Sequence, residues 1–183
     1  MDKKQGILGG GLLVLWLVLT GLAFWHLEYR KLNTYEALPA TDPQLVSELE
    51  EALATQSATT GPVLVHLYAA DCACEQASRN HLQNLQTRYP HLEVRTLERE
   101  ALLQDASWPV PLSLPTAALF NPDGQLLYFG PYSSGPVCGT GINFVDNLLA
   151  GLAPAYTAEP WINSLAFGCF CDHANPNHLL TAR

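Results

Sequence analysis

Five cysteines carry most of the chain's reactive chemistry, and their spacing is patterned. Cys72 and Cys74 form one Cys-x-Cys pair, and Cys169 and Cys171 form another. Cys138 stands alone in a glycine-rich stretch running from Gly130 to Gly141. Thiolates exchange with disulfides and bind soft metal ions. Cys72 has the most informative setting. The continuous apolar run Pro62 to Tyr68 before it reads as a strand buried on both faces. The segment from about Cys74 to Tyr89 reads as a helix with Leu82, Leu85 and Tyr89 on one side, stopped by Pro90. A sulfur at that junction meets unpaired backbone N–H groups and the positive end of the helix dipole, and both stabilise a thiolate. Asp71 and Glu75 oppose this, because neighbouring negative charge raises a thiol pKa.

Spacing alone leaves the partner of Cys72 open. Cys74 is one choice, closing a tight and therefore oxidising ring. Cys138 is the other, if a hairpin after Pro115 returns the glycine-rich loop to the sheet end that holds Cys72. For Cys169 and Cys171 a local disulfide, a bond to Cys138 and docking on the core all remain open, with a structural staple of the tail favoured. Cys72, Cys74 and Cys138 together would also suit Cu(I). His173 and His178 match no zinc spacing, and His66, inside the first strand, reads as a satisfied core histidine. No resident metal or cofactor is expected.

The elements that must position these thiols follow from periodicity and breakers. Asp42-Pro43 starts a helix to about Gln56, with Leu45, Val46, Leu49, Ala52 and Leu53 as its apolar stripe. His91 to Leu97 reads as a second strand and residues 100–107 as a short helix. Pro115 to Phe120 is a third strand, Asn121-Pro122-Asp123-Gly124 a turn, and Gln125 to Phe129 a fourth strand. Ile142, Val145, Leu149 and Leu152 mark a further helix. Pro160 to Phe167 reads as a short helix capped by Gly168, with the Cys169-Phe170-Cys171 tail beyond the core.

Two segments in this order resemble the thioredoxin superfamily. One is Leu67-Tyr68-Ala69-Ala70-Asp71-Cys72-Ala73-Cys74-Glu75. The other is Leu114-Pro115-Thr116 with Phe120 and Gly124, which follows the superfamily's Leu-Pro-Thr-x-x-x-Phe-x-x-x-Gly segment. The chain departs from the family's Cys-x-x-Cys, since Glu75 stands at the resolving position. The resemblance implies an α/β thioredoxin-like fold with a β-α-β then β-β-α core. It also implies a cis peptide before Pro115, with Leu114 and Pro115 as the substrate-binding backbone. By the same resemblance Cys72 attacks and Cys74 or Cys138 resolves. The whole chain also looks like the membrane-anchored thioredoxin-like proteins of Gram-negative bacteria, a likeness that brings no activity with it.

The N-terminus adds a location. Residues 6–25 form an uncharged apolar run of about 30 Å as a helix, one bilayer core. Its length exceeds the usual apolar core of a signal peptide, and Trp16, Trp25 and Tyr29 suit the membrane interface. A retained anchor is therefore expected over a cleaved signal at Gly21-Leu22-Ala23. From residue 32 onward, five arginines face fifteen carboxylates. That acidic surface disfavours nucleic-acid backbones. The expected organisation is an anchor with flanks at 1–31, a linker and extra helix at 32–57, a thioredoxin-like domain at 58–155, and a C-terminal extension at 156–183. The expected function is thiol–disulfide exchange on protein thiols or disulfides, with an inner-membrane single pass placing the C-terminal domain in the periplasm. The alternatives are a non-catalytic interaction module with structural cysteines and a Cu(I)-handling protein.

Overall fold

The computed structural model describes residues 3–27, 32–35, 46–47, 50–51, 61–102, 113–135, 141–151 and 159–172. Helix α1 (Lys3–Leu27) contains a largely apolar span of 19 residues, Gly9–Leu27, with mean hydropathy 1.8 and no part buried. At 1.5 Å per residue this helix is long and apolar enough to cross a membrane.

The rest is a mixed α/β unit built on β2 (Val63–Tyr68). Alternation along a strand sends Val63, Val65 and Leu67 to one face and Leu64 and His66 to the other. The first set packs with Leu114, Ala118, Phe120 and Phe129, and with Cys72 and Cys74. Leu64 packs with Tyr128, with Leu82 and Leu85 of α2 (Glu75–Arg88), and with Val145 and Leu148 of α4 (Phe144–Leu149). Both faces of β2 are thus covered, which explains its unbroken apolar sequence.

Helix α2 is the crossover to β3 (Glu93–Glu98), which lies parallel to β2. Short α3 (Arg99–Leu102) follows, and residues 103–107 of the expected helix lie outside the described residues. On the other side of β2 lies antiparallel β5 (Thr116–Phe120), hairpinned to β6 (Leu126–Gly130). The turn forms as its composition suggests. Asn121 Oδ1 accepts from the Gln125 N–H at 2.8 Å, and Gly124 takes φ 83°, where a side chain is disfavoured. The main sheet therefore runs β3-β2-β5-β6-β9, with β9 (Trp161–Ile162) parallel to β6.

Three small ladders knit the termini onto this sheet. β1 (Leu32–Tyr35) pairs antiparallel with β10 (Ala166–Cys169). β4 (Ser113–Leu114) pairs antiparallel with β11 (Cys171–Asp172). β7 (Ser133–Ser134) pairs with β8 (Ile142–Asn143).

Several expectations are corrected here. Residues 160–167 are not helical: Trp161–Ile162 extends the main sheet and Ala166–Cys169 pairs with β1, so strand pairing overrides the local helix signal. Gly168 is a strand residue, buried with little room before the Phe170 ring, rather than a helix cap. The tail does not lie beyond the core but is paired into it. The stretch read as linker contains β1, whose Tyr35 is fully buried. Ile142 is an exposed residue of β8, and the helix begins after it. Most of the helix expected at 42–56 lies outside the described residues. Val46, Ser47, Glu50 and Glu51 are helical, and Glu50 Oε1 accepts from the Leu126 N–H at 2.9 Å.

Candidate functional site

The site forms where β2 ends and α2 begins. The chain makes a tight turn there. Cys72 N–H donates to Ala69 O and Glu75 N–H to Cys72 O, each at 3.1 Å. Cys74 is the α2 N-cap, with no side-chain capping bond. Both cysteines are buried, at 6% and 3% exposure, so neither is open to bulk solvent.

Neither bonds to the other. Cys72 is disulfide-bonded to Cys171, and Cys74 to Cys169. Their Cα separations of 5.7 and 5.6 Å fall in the ordinary disulfide range. The two Cys-x-Cys segments thus meet antiparallel, 72 opposite 171 and 74 opposite 169. The Cys72–Cys74 ring considered from spacing is absent because the β1–β10 and β4–β11 ladders bring a closer partner to each sulfur. Cys138 lies outside the described residues, although Gly135, before it, lines the cleft beside Cys74.

Leu114 and Pro115 are brought to the same place. Their peptide bond is cis, and Cys72 Sγ lies 3.6 Å from Leu114 O. Leu114 is the register partner of Cys171. Beneath them Thr116 Oγ1 donates to Ser113 O at 2.8 Å. It therefore accepts from Tyr35 O–H, also at 2.8 Å. Burial raises the Tyr35 phenol well above its usual pKa. Phe170, between the two C-terminal cysteines, is pinned by its ring edge on Tyr35 at 5.1 Å and by Asn33 Nδ2 donating to its carbonyl at 2.9 Å.

A buried polar network fixes α2 against β2. His66, fully buried, places Nε2 3.0 Å from Glu75 Oε1 and Nδ1 2.9 Å from Tyr132 O–H. A carboxylate only accepts, so the tautomer carrying its proton on Nε2 satisfies both contacts, with the Tyr132 hydroxyl donating to Nδ1. Arg79 Nε donates to the same Glu75 oxygen at 2.8 Å. Burial, and then the Glu75 charge, push the Tyr132 phenol pKa up. Glu75 is thus committed to His66 and Arg79, a role its place beside the cysteines did not suggest. A cleft lined by Cys74, Ser78, His81, Pro115, Tyr132 and Cys169 opens beside the pair. Burial lowers the His81 pKa, partly offset by Asp146, whose Oδ2 is 3.7 Å away.

Sequence reasoning placed Cys72, Cys74, Leu114 and Pro115 here but missed the roles of Cys169 and Cys171. The usable signal was the repeated spacing, since two Cys-x-Cys pairs run antiparallel can close two bonds at once.

A family model described as "Domain of unknown function (DUF6436)" matches residues 42–173, well over half the chain. The chain belongs to the DUF6436 family. In this DUF6436 chain the matched span holds both Cys-x-Cys pairs and the cis proline, and it excludes α1. No curated protein matches the sequence. Among solved structures, Trxlp from Edwardsiella tarda EIB202 is 22% identical, with 47% of this chain and 84% of that one covered and a TM-score of 0.35. A designed protein is 17% identical, with 68% and 99% covered and a TM-score of 0.40. An uncharacterized conserved protein from Geobacillus kaustophilus is 13% identical, with 64% and 79% covered and a TM-score of 0.41. These likenesses are partial.

Proposed function

We propose that this chain is a thioredoxin-like thiol–disulfide oxidoreductase, tethered by α1 to the inner membrane with its C-terminal domain in the periplasm. The strand order supports the fold assignment: β3-β2-β5-β6, one parallel pair joined by α2, then an antiparallel hairpin entered through a cis proline. The observation that carries the function is the Cys72–Cys171 bond beside Leu114, with β11 laid antiparallel on β4. An extended segment paired to that edge and bonded to Cys72 has the geometry of a protein substrate held as a mixed disulfide. In this chain its own C-terminal segment takes that place.

A substrate thiolate attacks Cys72 Sγ, breaks the Cys72–Cys171 bond and releases the Cys171 thiolate, leaving the substrate bonded to Cys72. A second substrate thiolate then attacks the substrate sulfur of that mixed disulfide and frees the Cys72 thiolate at the start of α2, where the helix dipole favours it. Two electrons pass to the protein, and the substrate leaves as a disulfide. The reverse sequence, opened by Cys72, reduces a substrate disulfide. Cys138 serves as a resolving thiol when Cys171 is engaged elsewhere, and Cys74 can do so only once its bond to Cys169 is opened.

Burial of Cys72 and Cys74 favours the other role for these bonds, permanent staples in a non-catalytic interaction module. Insulin-reduction and scrambled-substrate assays on the full chain in detergent separate the two. Cys72→Ser should abolish both activities. Full activity in Cys72→Ser, or no exchange by the wild type in either direction, leaves the staple role standing.

A further inference from the structure

Three sulfurs meet in one place, and a fourth is bonded to one of them. Sγ atoms of Cys72, Cys74 and Cys171 all lie within 4.8 Å of one another, and Cys169 Sγ is bonded to Cys74 Sγ. They come from two facing Cys-x-Cys segments, and the backbone at Cys72, Cys74 and Cys169 is held by contacts other than the sulfur bonds. The β1–β10 ladder holds Cys169 opposite Leu32, and Asn33 and Tyr35 hold Phe170. The α2 turn holds Cys72 and Cys74. Opening the S–S bonds therefore leaves three thiols on held backbone, with Cys171 two residues beyond Cys169 and able to swing back toward them.

We propose that, with both disulfides reduced, Cys72, Cys74, Cys169 and Cys171 bind one Zn²⁺ ion as a four-thiolate site. A tetrahedral site with Zn–S bonds of about 2.3 Å has sulfur–sulfur edges of roughly 3.8 Å. Each bonded pair must open by less than about 2 Å, which side-chain torsions supply, and the Cys72, Cys74 and Cys171 sulfurs already lie within 4.8 Å of one another. The donor set is all sulfur, which suits a thiophilic ion. The nearby carboxylate, Glu75, is occupied by His66 and Arg79.

Two molecules of a dithiol reductant deliver four electrons and four protons, and leave as two disulfides. The four thiols then release four protons on binding Zn²⁺, so uptake strengthens with rising pH. A zinc-loaded cluster has no disulfide to exchange. Metal occupancy and disulfide formation are thus mutually exclusive states of the same four residues.

The test uses the full chain in detergent, reduced anaerobically with dithiothreitol, desalted and titrated with Zn²⁺ against a chromophoric chelator. One zinc per chain is expected in the reduced protein and none in the oxidised protein. Cys72→Ser and Cys171→Ser should each weaken binding at least about tenfold, whereas Cys138→Ser should bind as the wild type does. Circular dichroism on each variant checks folding. The wild-type titration needs no variant: reduced protein that takes up no stoichiometric zinc overturns the proposal. Equal zinc in the oxidised protein, zinc retained when all four cysteines are replaced, or zinc lost in Cys138→Ser also overturns it.

Discussion

Removing one disulfide from this chain should cost much less than its loop length suggests. The Cys72–Cys171 and Cys74–Cys169 bonds close loops with separations of 99 and 95 residues. Taken singly, chain entropy assigns a loop of that size about 4.7 kcal/mol. The bonds are nested, however, with one residue between them on each side. Once either is closed, the other closes a ring of about six residues, worth roughly 2 kcal/mol by the same relation. The pair Cys72→Ala/Cys171→Ala should therefore lose about 2 kcal/mol, and so should Cys74→Ala/Cys169→Ala. Replacing all four should lose about 7 kcal/mol, well beyond the sum of the two. The assay is urea unfolding of the full chain in detergent, followed by near-ultraviolet circular dichroism of buried Tyr35, Tyr128 and Tyr132. At a urea slope near 2 kcal/mol per M, each pair should shift the midpoint by about 1 M. Additivity of the two pairs, or a loss near 5 kcal/mol from either alone, would refute the nested pairing.

Two other perturbations test the scaffold. His81 has its pKa lowered mainly by burial, with Asp146 acting in the opposite direction and Arg88 reinforcing burial. A histidine whose folded pKa lies below its unfolded value contributes stability present above about pH 6.5 and lost as pH falls toward the folded pKa. His81→Gln should flatten the wild-type loss of stability below pH 6.5 in pH-dependent urea midpoints, and an unchanged slope would count against the assignment. Gly141 sits at φ 98°, where an added Cβ would collide with the Ser134 carbonyl oxygen. Gly141→Ala should cost about 1–3 kcal/mol by thermal unfolding, and a neutral result would contradict the close approach of Gly141 to the Ser134 carbonyl.

The parts of the structure legible in the sequence are those encoded locally. The apolar run of β2, the Leu82 and Leu85 stripe of α2, the Asn-Pro-Asp-Gly turn and the proline before β5 each carry their signal within a few residues. Together they gave the mixed α/β order, the setting of Cys72 and the burial of His66. What was illegible depends on partners far along the chain. β1 and β10 are four residues each, and β4, β9 and β11 are two. Strands that short have no usable periodicity, and the β1–β10 partners stand more than a hundred residues apart. Trp161-Ile162 and Gly168 therefore read as a helix with its cap, whereas tertiary pairing decided otherwise. Disulfide connectivity is likewise undetermined by sequence alone, so the doubled Cys-x-Cys was visible while its pairing was not.

The arrangement of β11 bears on how the proposed exchange would be governed. A ladder two residues long is marginal by itself, and β11 meets β4 through just Cys171–Leu114 and Asp172–Ser113. The Cys72–Cys171 bond is what keeps those few partners together at high effective concentration. Breaking it removes a covalent link and, with it, the main reason for β11 to stay on β4. Ser113 and Leu114 then present an unpaired edge beside a free Cys72, which is the arrangement that accepts an extended peptide by strand addition. The Cys74–Cys169 bond limits how far the segment moves, since it tethers the chain two residues upstream. Opening is thus a local swing of the C-terminal segment, while Phe170 and Tyr35 keep its base seated. The second Cys-x-Cys therefore acts in the proposed cycle as a stand-in for substrate, displaced when a better thiol arrives.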